Sequence, residues 1–215
     1  MKKLVIFDMD GVLLDSEQLC MDMNQQFFKQ LGAHISREEH QTFIGISATR
    51  MWSTIKERFN LTETVEMLNE QEKLPKYKTL DTTDLSPNEG VLDLLMHLKQ
   101  TQHTLAIASS SLRMNIDLIL SKLNIHTYFE LIVSGEQVLK GKPDPDIFLK
   151  VAAHYKYSPS DCVVIENSTN GVTAAKAAGM ICVGYRNLGS GNQDLSKADL
   201  IIDHFGDKGF RALFN

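Results

Sequence analysis

Residues 4–16 read Leu-Val-Ile-Phe-Asp-Met-Asp-Gly-Val-Leu-Leu-Asp-Ser. The apolar run Leu4–Phe7 is too short for a helix and suits a fully buried strand of a parallel sheet. It stops directly on two carboxylates, Asp8 and Asp10. An unpaired buried carboxylate costs more than so short a run returns, so the pair is expected at the rim of a sheet, facing positive charge. Gly11 permits a sharp exit from the strand, and Val12 to Ser16 lead away from it.

The same kind of short apolar run recurs at Leu105–Ala108, Leu131–Val133, Val163–Ile165, Ile181–Val183 and Leu200–Ile202, mostly separated by helical patterns. Ser86-Pro87-Asn88-Glu89 reads as a capping box opening the amphipathic run Val91, Leu92, Leu95 and Leu98. Asn170 to Ala178 reads as a helix closed by Gly179. Repeated strand and helix imply an α/β fold, with a Rossmann-like parallel sheet core and helices on both faces. One stretch breaks the rhythm. From Ser16 to about Leu80 there are only helical patterns, with starts at Ser16, Ser36 (Glu39 completing a capping box), Ser47 and Thr62. The expected organisation is a core of residues 1–15 and 82–215, with an all-helical cap of residues 16–81 inserted after the first strand. Such an insertion stands above the carboxyl ends of the strands, on hinges near Leu14–Glu17 and Thr79–Pro87.

With 215 residues and 43% hydrophobic content, the chain can bury a sizeable core. A net charge of −5 argues against a nucleic-acid or anionic-membrane surface. A small phosphorylated metabolite needs only local positive charge and stays open as a partner. Cys20, Cys162 and Cys182 show no C-x-x-C spacing and suit unpaired thiols in a reducing cytosol. The apolar run after Met1-Lys2-Lys3 ends at Asp8, short of a signal peptide, and no window approaches the roughly 18 apolar residues of a membrane span. A soluble, cytoplasmic protein is expected; a monomer is compatible with this composition.

Four segments at or just beyond strand ends carry polar groups that packing does not demand: Asp8 to Gly11, Ser109 to Ser111, Gly141 to Asp146, and Glu166 to Ser168. Each has a plainer reading. Asp-x-Asp-Gly could be a turn, though an EF-hand is excluded because Leu13 and Leu19 stand where Gly and Glu are required. The serines could be a helix N-cap, and the same groups would make an anion site. Lys142 could be a solvated lysine, or one aimed by Pro143 and Pro145. Glu166 and Asn167 could cap a helix, or join Asp8 and Asp10 as oxygen ligands of Mg2+. Together the segments describe phosphoryl transfer: a carboxylate nucleophile, Mg2+ between the anions, Lys142 with Ser109 and Ser110 on the phosphate oxygens, and a second acid for the leaving oxygen.

The ordered set hhhhDxDGxxxDS, hhhSS, KPxPxxF and hhhE[DN]Sxx[GA] resembles the haloacid dehalogenase superfamily of aspartyl-phosphate enzymes. The helical insertion is similar to the small cap of its β-phosphoglucomutase-like phosphatases. The resemblance implies Asp8 as nucleophile and Asp10 as general acid/base that also offers its backbone carbonyl to Mg2+. It further implies Ser109 and Lys142 on the phosphate, and Asn167, with Glu166 nearby, on the metal side. There are three departures. Asn167 replaces the family's usual Asp, Cys20 stands where the mutases carry a histidine, and Ile44-Gly45-Ile46-Ser47-Ala48-Thr49-Arg50 replaces a Lys-Gly-x-Ser-Arg loop that grips a second phosphate. The expectation is a Mg2+-dependent phosphatase acting on a sugar or polyol phosphate, its substrate chosen by Gly45, Ser47, Arg50 and Cys20, with Trp52 in the cap's core. A phosphomutase and a non-catalytic phospho-ligand-binding protein are the alternatives.

Overall fold

The computed structural model describes residues 2–214. Six strands, β1 (Leu4–Phe7), β2 (Thr104–Ser109), β3 (Leu131–Ser134), β4 (Cys162–Glu166), β5 (Ile181–Tyr185) and β6 (Leu200–Ile202), form one sheet in the order β3-β2-β1-β4-β5-β6. Every pairing is parallel. β1 is central, its four residues all 0% exposed, which explains a continuous apolar run in place of alternation.

Side chains on the two faces of β1 enter different layers. Val5 and Phe7 pack with Val91, Leu94 and Leu98 of α5 (Val91–Gln100), and with Ile116, Ile119 and Leu120 of α6 (Arg113–Lys122). Leu4 and Ile6 pack with Phe148 and Val151 of α7 (Asp146–Tyr155) and with Val172 and Ala175 of α8 (Thr169–Ala177). Helices therefore cover both faces, as the strand period of two requires.

Between β1 and α5 lie four helices: α1 (Glu17–Gln30), α2 (Arg37–Gln41), α3 (Ala48–Phe59) and α4 (Val65–Thr82). They enclose an apolar cluster of their own, in which Phe28, Met51, Trp52, Ile55 and Leu68 are buried. Trp52 lies at its centre and donates from Nε1 to Glu72 Oε2 at 2.7 Å. The chain's entry into and exit from this segment run side by side. Leu14 and Pro87 form an antiparallel bridge, and Asn88 donates from its backbone to Leu13 O and from Nδ2 to Val12 O, both at 2.9 Å.

That pairing corrects the reading of Ser86 to Glu89 as a capping box. Pro87 bridges to Leu14 at the exit of β1, Glu89 and Gly90 form a turn, and α5 starts later, at Val91, behind Gly90 with φ +79°. Similarly, α4 is capped by Thr64, whose hydroxyl accepts from Met67 N at 3.3 Å, two residues beyond the expected Thr62. Ser36 and Ser47 cap α2 and α3 as read, while Ser16 stands at the start of α1 without capping it. Cys162 and Cys182 are buried free thiols, and Cys20 is half-buried.

Candidate active site

The carboxyl ends of β1, β2 and β4, and the loop before α7, meet beneath the helical segment. Lys142 enters from that loop, and its side chain is 0% exposed. Its ammonium donates to Asp8 Oδ1 at 2.6 Å, to Glu166 Oε1 at 2.6 Å and to Ala108 O at 3.0 Å. An ammonium has three donors, so all are taken. Here is the positive charge that a carboxylate at the end of β1 needs. The charge of Lys142 lies against Asp8 and Glu166, and Asp8 rather than Lys142 lines the cavity above the sheet.

Burial opposes charge on Lys142, but Asp8 and Glu166 outweigh it and hold the pKa above the usual lysine value. Burial lifts the Asp8 carboxyl well above the ordinary carboxylate range. Lys142 pulls it down, while Glu166 and Asp10 push it up.

Glu166, expected as a metal ligand, also sits behind the cavity wall. Its Oε2 accepts from Asn167 N at 2.9 Å, Ser168 N at 3.1 Å and Ser168 Oγ at 3.0 Å, which shapes the turn from β4 into α8. Asn167 does line the cavity. Its Nδ2 donates to Ser190 Oγ at 2.7 Å and to Glu17 Oε1 at 3.3 Å. Gly11 is required here on two counts: φ is +82°, and a Cβ would stand 2.0 Å from Asn167 Nδ2.

Asp10 lines the cavity with its carboxylate oriented by two hydroxyls, Ser16 Oγ at 2.5 Å on Oδ1 and Ser111 Oγ at 2.7 Å on Oδ2. Ser16 thus gives up its capping role to hold Asp10. The serines after β2 are not an N-cap either. α6 begins at Arg113 behind Leu112, and the Arg113 N–H is met by Glu136 Oε2 at 2.8 Å. Ser109, Ser110 and Ser111 all line the cavity. Ser109 Oγ accepts from Ser111 N at 3.1 Å, and Ser110 Oγ donates to Gly45 O at 2.7 Å, joining the core to the loop before α3.

Of the residues expected to select the substrate, Gly45 and Cys20 line the cavity and Ser47 and Arg50 do not. Ser47 Oγ is occupied as the cap of α3, accepting from Arg50 N at 3.3 Å. The Arg50 guanidinium turns outward to Asp144 Oδ2 at 3.1 Å. Gly45, with φ +83°, lies so close to the core that a Cβ would be 2.2 Å from Ser168 Oγ.

The cavity, of about 110 Å3, has further polar walls that sequence reasoning missed: Glu17, Asn24, Asn69, Lys76 and Asn115. Glu17 is 9% exposed, and its carboxyl is pushed up to about 8 by burial first and by the Asp10 charge next. Its only sequence signal is its place after Ser16, where an acid in the first turn of a helix is ordinary. The others sit within helices, where a polar residue normally faces water.

The donor set fits Mg2+. Among the described residues no three His, Cys, Asp or Glu side chains converge as a ready-made metal cage. Mg2+ does not require one, since it binds through one or two carboxylates, with water and substrate oxygens completing its octahedron. Asp8 Oδ2 and Asn167 Oδ1 receive no protein hydrogen bond among the described residues, and neither does the Asp10 carbonyl. Asp8, Asp10 and Glu17 line this cavity with Glu166 behind it, and burial first, then repulsion among neighbouring acids, holds the Asp8 and Glu17 carboxyls above the ordinary carboxylate range.

The chain matches the haloacid dehalogenase-like hydrolases over residues 5–185. It is 35% identical over 212 residues to a β-phosphoglucomutase of Bacillus subtilis, covering 95% of this chain and 91% of that protein. It is 32% identical over 176 residues to a phosphorylated carbohydrates phosphatase of Thermotoga maritima, covering 82% and 81%. The solved structure of a β-phosphoglucomutase from Clostridium difficile superposes with a TM-score of 0.85 at 26% identity, over 99% of this chain and 96% of that one.

Proposed function

Because the chain belongs to the haloacid dehalogenase-like hydrolases and is a phosphoric monoester hydrolase of that type, we propose that it hydrolyses a small phosphorylated metabolite, a sugar or polyol phosphate, through an aspartyl-phosphate on Asp8. The observation that carries this reading is Asp8 itself. It is a strand-end carboxylate on the cavity wall, clamped by Lys142 at 2.6 Å through Oδ1, with Oδ2 free of donors among the described residues.

In the proposed cycle an Asp8 oxygen bonds to phosphorus as the bond from phosphorus to the leaving oxygen breaks. Asp10, fixed by Ser16 and Ser111, gives that oxygen a proton. Asp10 then takes a proton from water as the water oxygen attacks phosphorus, releasing phosphate and restoring the Asp8 carboxylate. Lys142 neutralises Asp8 from behind, and Ser109 supplies a hydroxyl to the phosphate oxygens. Mg2+, held by Asp8, the Asp10 carbonyl and Asn167, would neutralise charge between the nucleophile and the phosphoryl group. The helical segment acts as a cap over this site, a proposal supported by its separate apolar cluster and its place above the strand ends. Glu166 orients Asn167 and Lys142 rather than binding metal directly.

Hydrolysis of p-nitrophenyl phosphate with Mg2+, lost in Asp8→Asn, is the expected result; a folded wild-type protein without turnover on any phosphoester would favour a binding protein instead. The identity to a mutase motivates the second reading, phosphoryl return to a sugar. Incubation with β-glucose 1-phosphate and a bisphosphate primer separates the two, free phosphate without glucose 6-phosphate supporting hydrolysis.

A further inference from the structure

An asparagine holds a cation less surely than an aspartate does. Its amide can turn over about the Cβ–Cγ bond with almost no change of shape, and one of the two orientations points N–H groups at the metal. A carboxylate has no wrong orientation. Asn167 is 2% exposed, and its Nδ2 is held by two acceptors, Ser190 Oγ at 2.7 Å and Glu17 Oε1 at 3.3 Å. Both amide hydrogens are thereby used, and a turned amide would set Oδ1 against Glu17 Oε1. Oδ1 keeps its lone pairs, with no hydrogen bond among the described residues.

Ser190 lies outside the four polar segments that the sequence brings to the strand ends. It is 1% exposed and does not line the cavity, so neither solvent nor a bound substrate accounts for its hydroxyl. The loop that carries it, Asn187 to Gly191 after β5, is held at several points. Asn187 Oδ1 accepts from Gly189 N at 2.7 Å, and its Nδ2 donates to Gly11 O at 2.8 Å. Gln18 donates to Gly189 O at 2.7 Å and Gln193 to Ser190 O at 3.2 Å. Gly191 follows with φ +68°, a conformation that side chains rarely allow. Because Gly11 directly follows Asp10, the loop that presents Ser190 is fixed to the backbone of the acid pair itself.

We propose that Ser190, together with Glu17, is a positioning residue of the metal site: it fixes the Asn167 amide so that Oδ1 faces Mg2+. The hydroxyl thus makes an amide serve where the family's usual Asp needs no such help. This rests on the reading of Asn167 as a Mg2+ ligand and goes beyond it in naming what orients that ligand.

The test reads metal binding without turnover. Mn2+ is titrated into wild type, Ser190→Ala, Asn167→Asp and the Ser190→Ala, Asn167→Asp double variant, free Mn2+ is followed by electron paramagnetic resonance, and Mg2+ then displaces it. Removing a group that orients a metal ligand costs about 10- to 100-fold in affinity, so Ser190→Ala should weaken both ions at least tenfold. In the Asn167→Asp background the same change should cost no more than about threefold, because either carboxylate oxygen can face the cation. Ser190→Cys, close in volume and a weaker acceptor, should fall between wild type and Ser190→Ala, and it carries the same comparison if the alanine variant does not fold. Wild-type affinity in Ser190→Ala, or equal losses in the two backgrounds, would overturn the orienting role while leaving the phosphatase reading intact. Wild type that binds neither ion would instead refute the metal reading on which it rests.

Discussion

At the scale of single residues, Lys142 is the joint on which the site depends. It was legible in the sequence as a lysine held by prolines, but its contacts were not, because no local pattern tells whether an ammonium faces a ligand or the protein's own acids. A solvent-facing lysine could be truncated without harm to the fold. The buried one cannot, since Lys142→Met leaves Asp8 and Glu166 unpaired in a dry site. The expected loss is about 3–5 kcal/mol of stability, together with turnover, read from urea unfolding beside phosphatase assays; a variant as stable as wild type would mean the ion pairs contribute nothing. Asn167 offers a finer case. Asn167→Asp adds a carboxylate for Mg2+, but it also removes the amide donor to Glu17 Oε1 at 3.3 Å and sets two acids together. The gain in Mg2+ affinity should therefore be larger in a Glu17→Gln background than in wild type. A calorimetric double-mutant cycle measures the difference, expected at about 0.5–3 kcal/mol for residues in contact; strict additivity would place Glu17 outside the metal site.

At the scale of elements, the strands were readable because buried parallel strands are continuous apolar runs, and all six appear where such runs stand. Helix starts were less secure. A Ser or Thr before a helical pattern is a cap only if nothing else claims its hydroxyl, and Ser16 is claimed by Asp10. The Ser86 box failed for a related reason, in that Asn88 bonds across to Gly11 and Val12, 77 and 76 positions away. Short helix α2 carries a further device. His40 is 5% exposed, its ring packed edge-on to Phe28 at 4.9 Å, and its pKa is lowered to about 4 by burial first, then by Lys76 and Arg37. A histidine that resists protonation in the folded chain, but not in the unfolded one, contributes stability that is full above pH 6.5 and lost as pH falls towards 4. Between pH 7.5 and pH 5 the loss should be about 2 kcal/mol. His40→Phe should flatten that part of the urea stability profile; an unchanged slope would assign the pH dependence to other groups.

At the scale of the whole molecule, two bodies of apolar packing, the sheet with its flanking helices and the cluster around Trp52, meet through Leu19 and Leu80 near the chain crossings and through a set of polar contacts around the cavity. Ser110 donates to Gly45 O at 2.7 Å, Asn170 to Ile44 O at 2.8 Å, Gln193 to Gln41 O at 3.1 Å, and Arg50 pairs with Asp144. The absence of strands over 16–81 was legible in the sequence, but not this seam, whose contacts link positions 65 to 152 residues apart. Polar contacts can be exchanged for water at little net cost, whereas separating two apolar faces would be expensive. The polar part of the seam is thus the part that can open, and a substrate that must reach Asp8 beneath the helical segment needs it to open. A covalent lock tests this directly. A Cβ placed on Gly141 would lie 3.5 Å from Ser47 Cβ, within the range bridged by a disulfide, and Gly141 has no positive φ to strain a side chain. The pair Ser47→Cys with Gly141→Cys sacrifices the cap of α3, so the reduced double variant must first be shown active. Oxidation should then suppress turnover at least tenfold, and dithiothreitol should restore it, because substrate and product could no longer pass the closed seam. If the oxidised form instead turned over as fast as the reduced one, the cavity would be open to its substrate as it stands, and the helical segment would serve as a fixed wall rather than a moving cap.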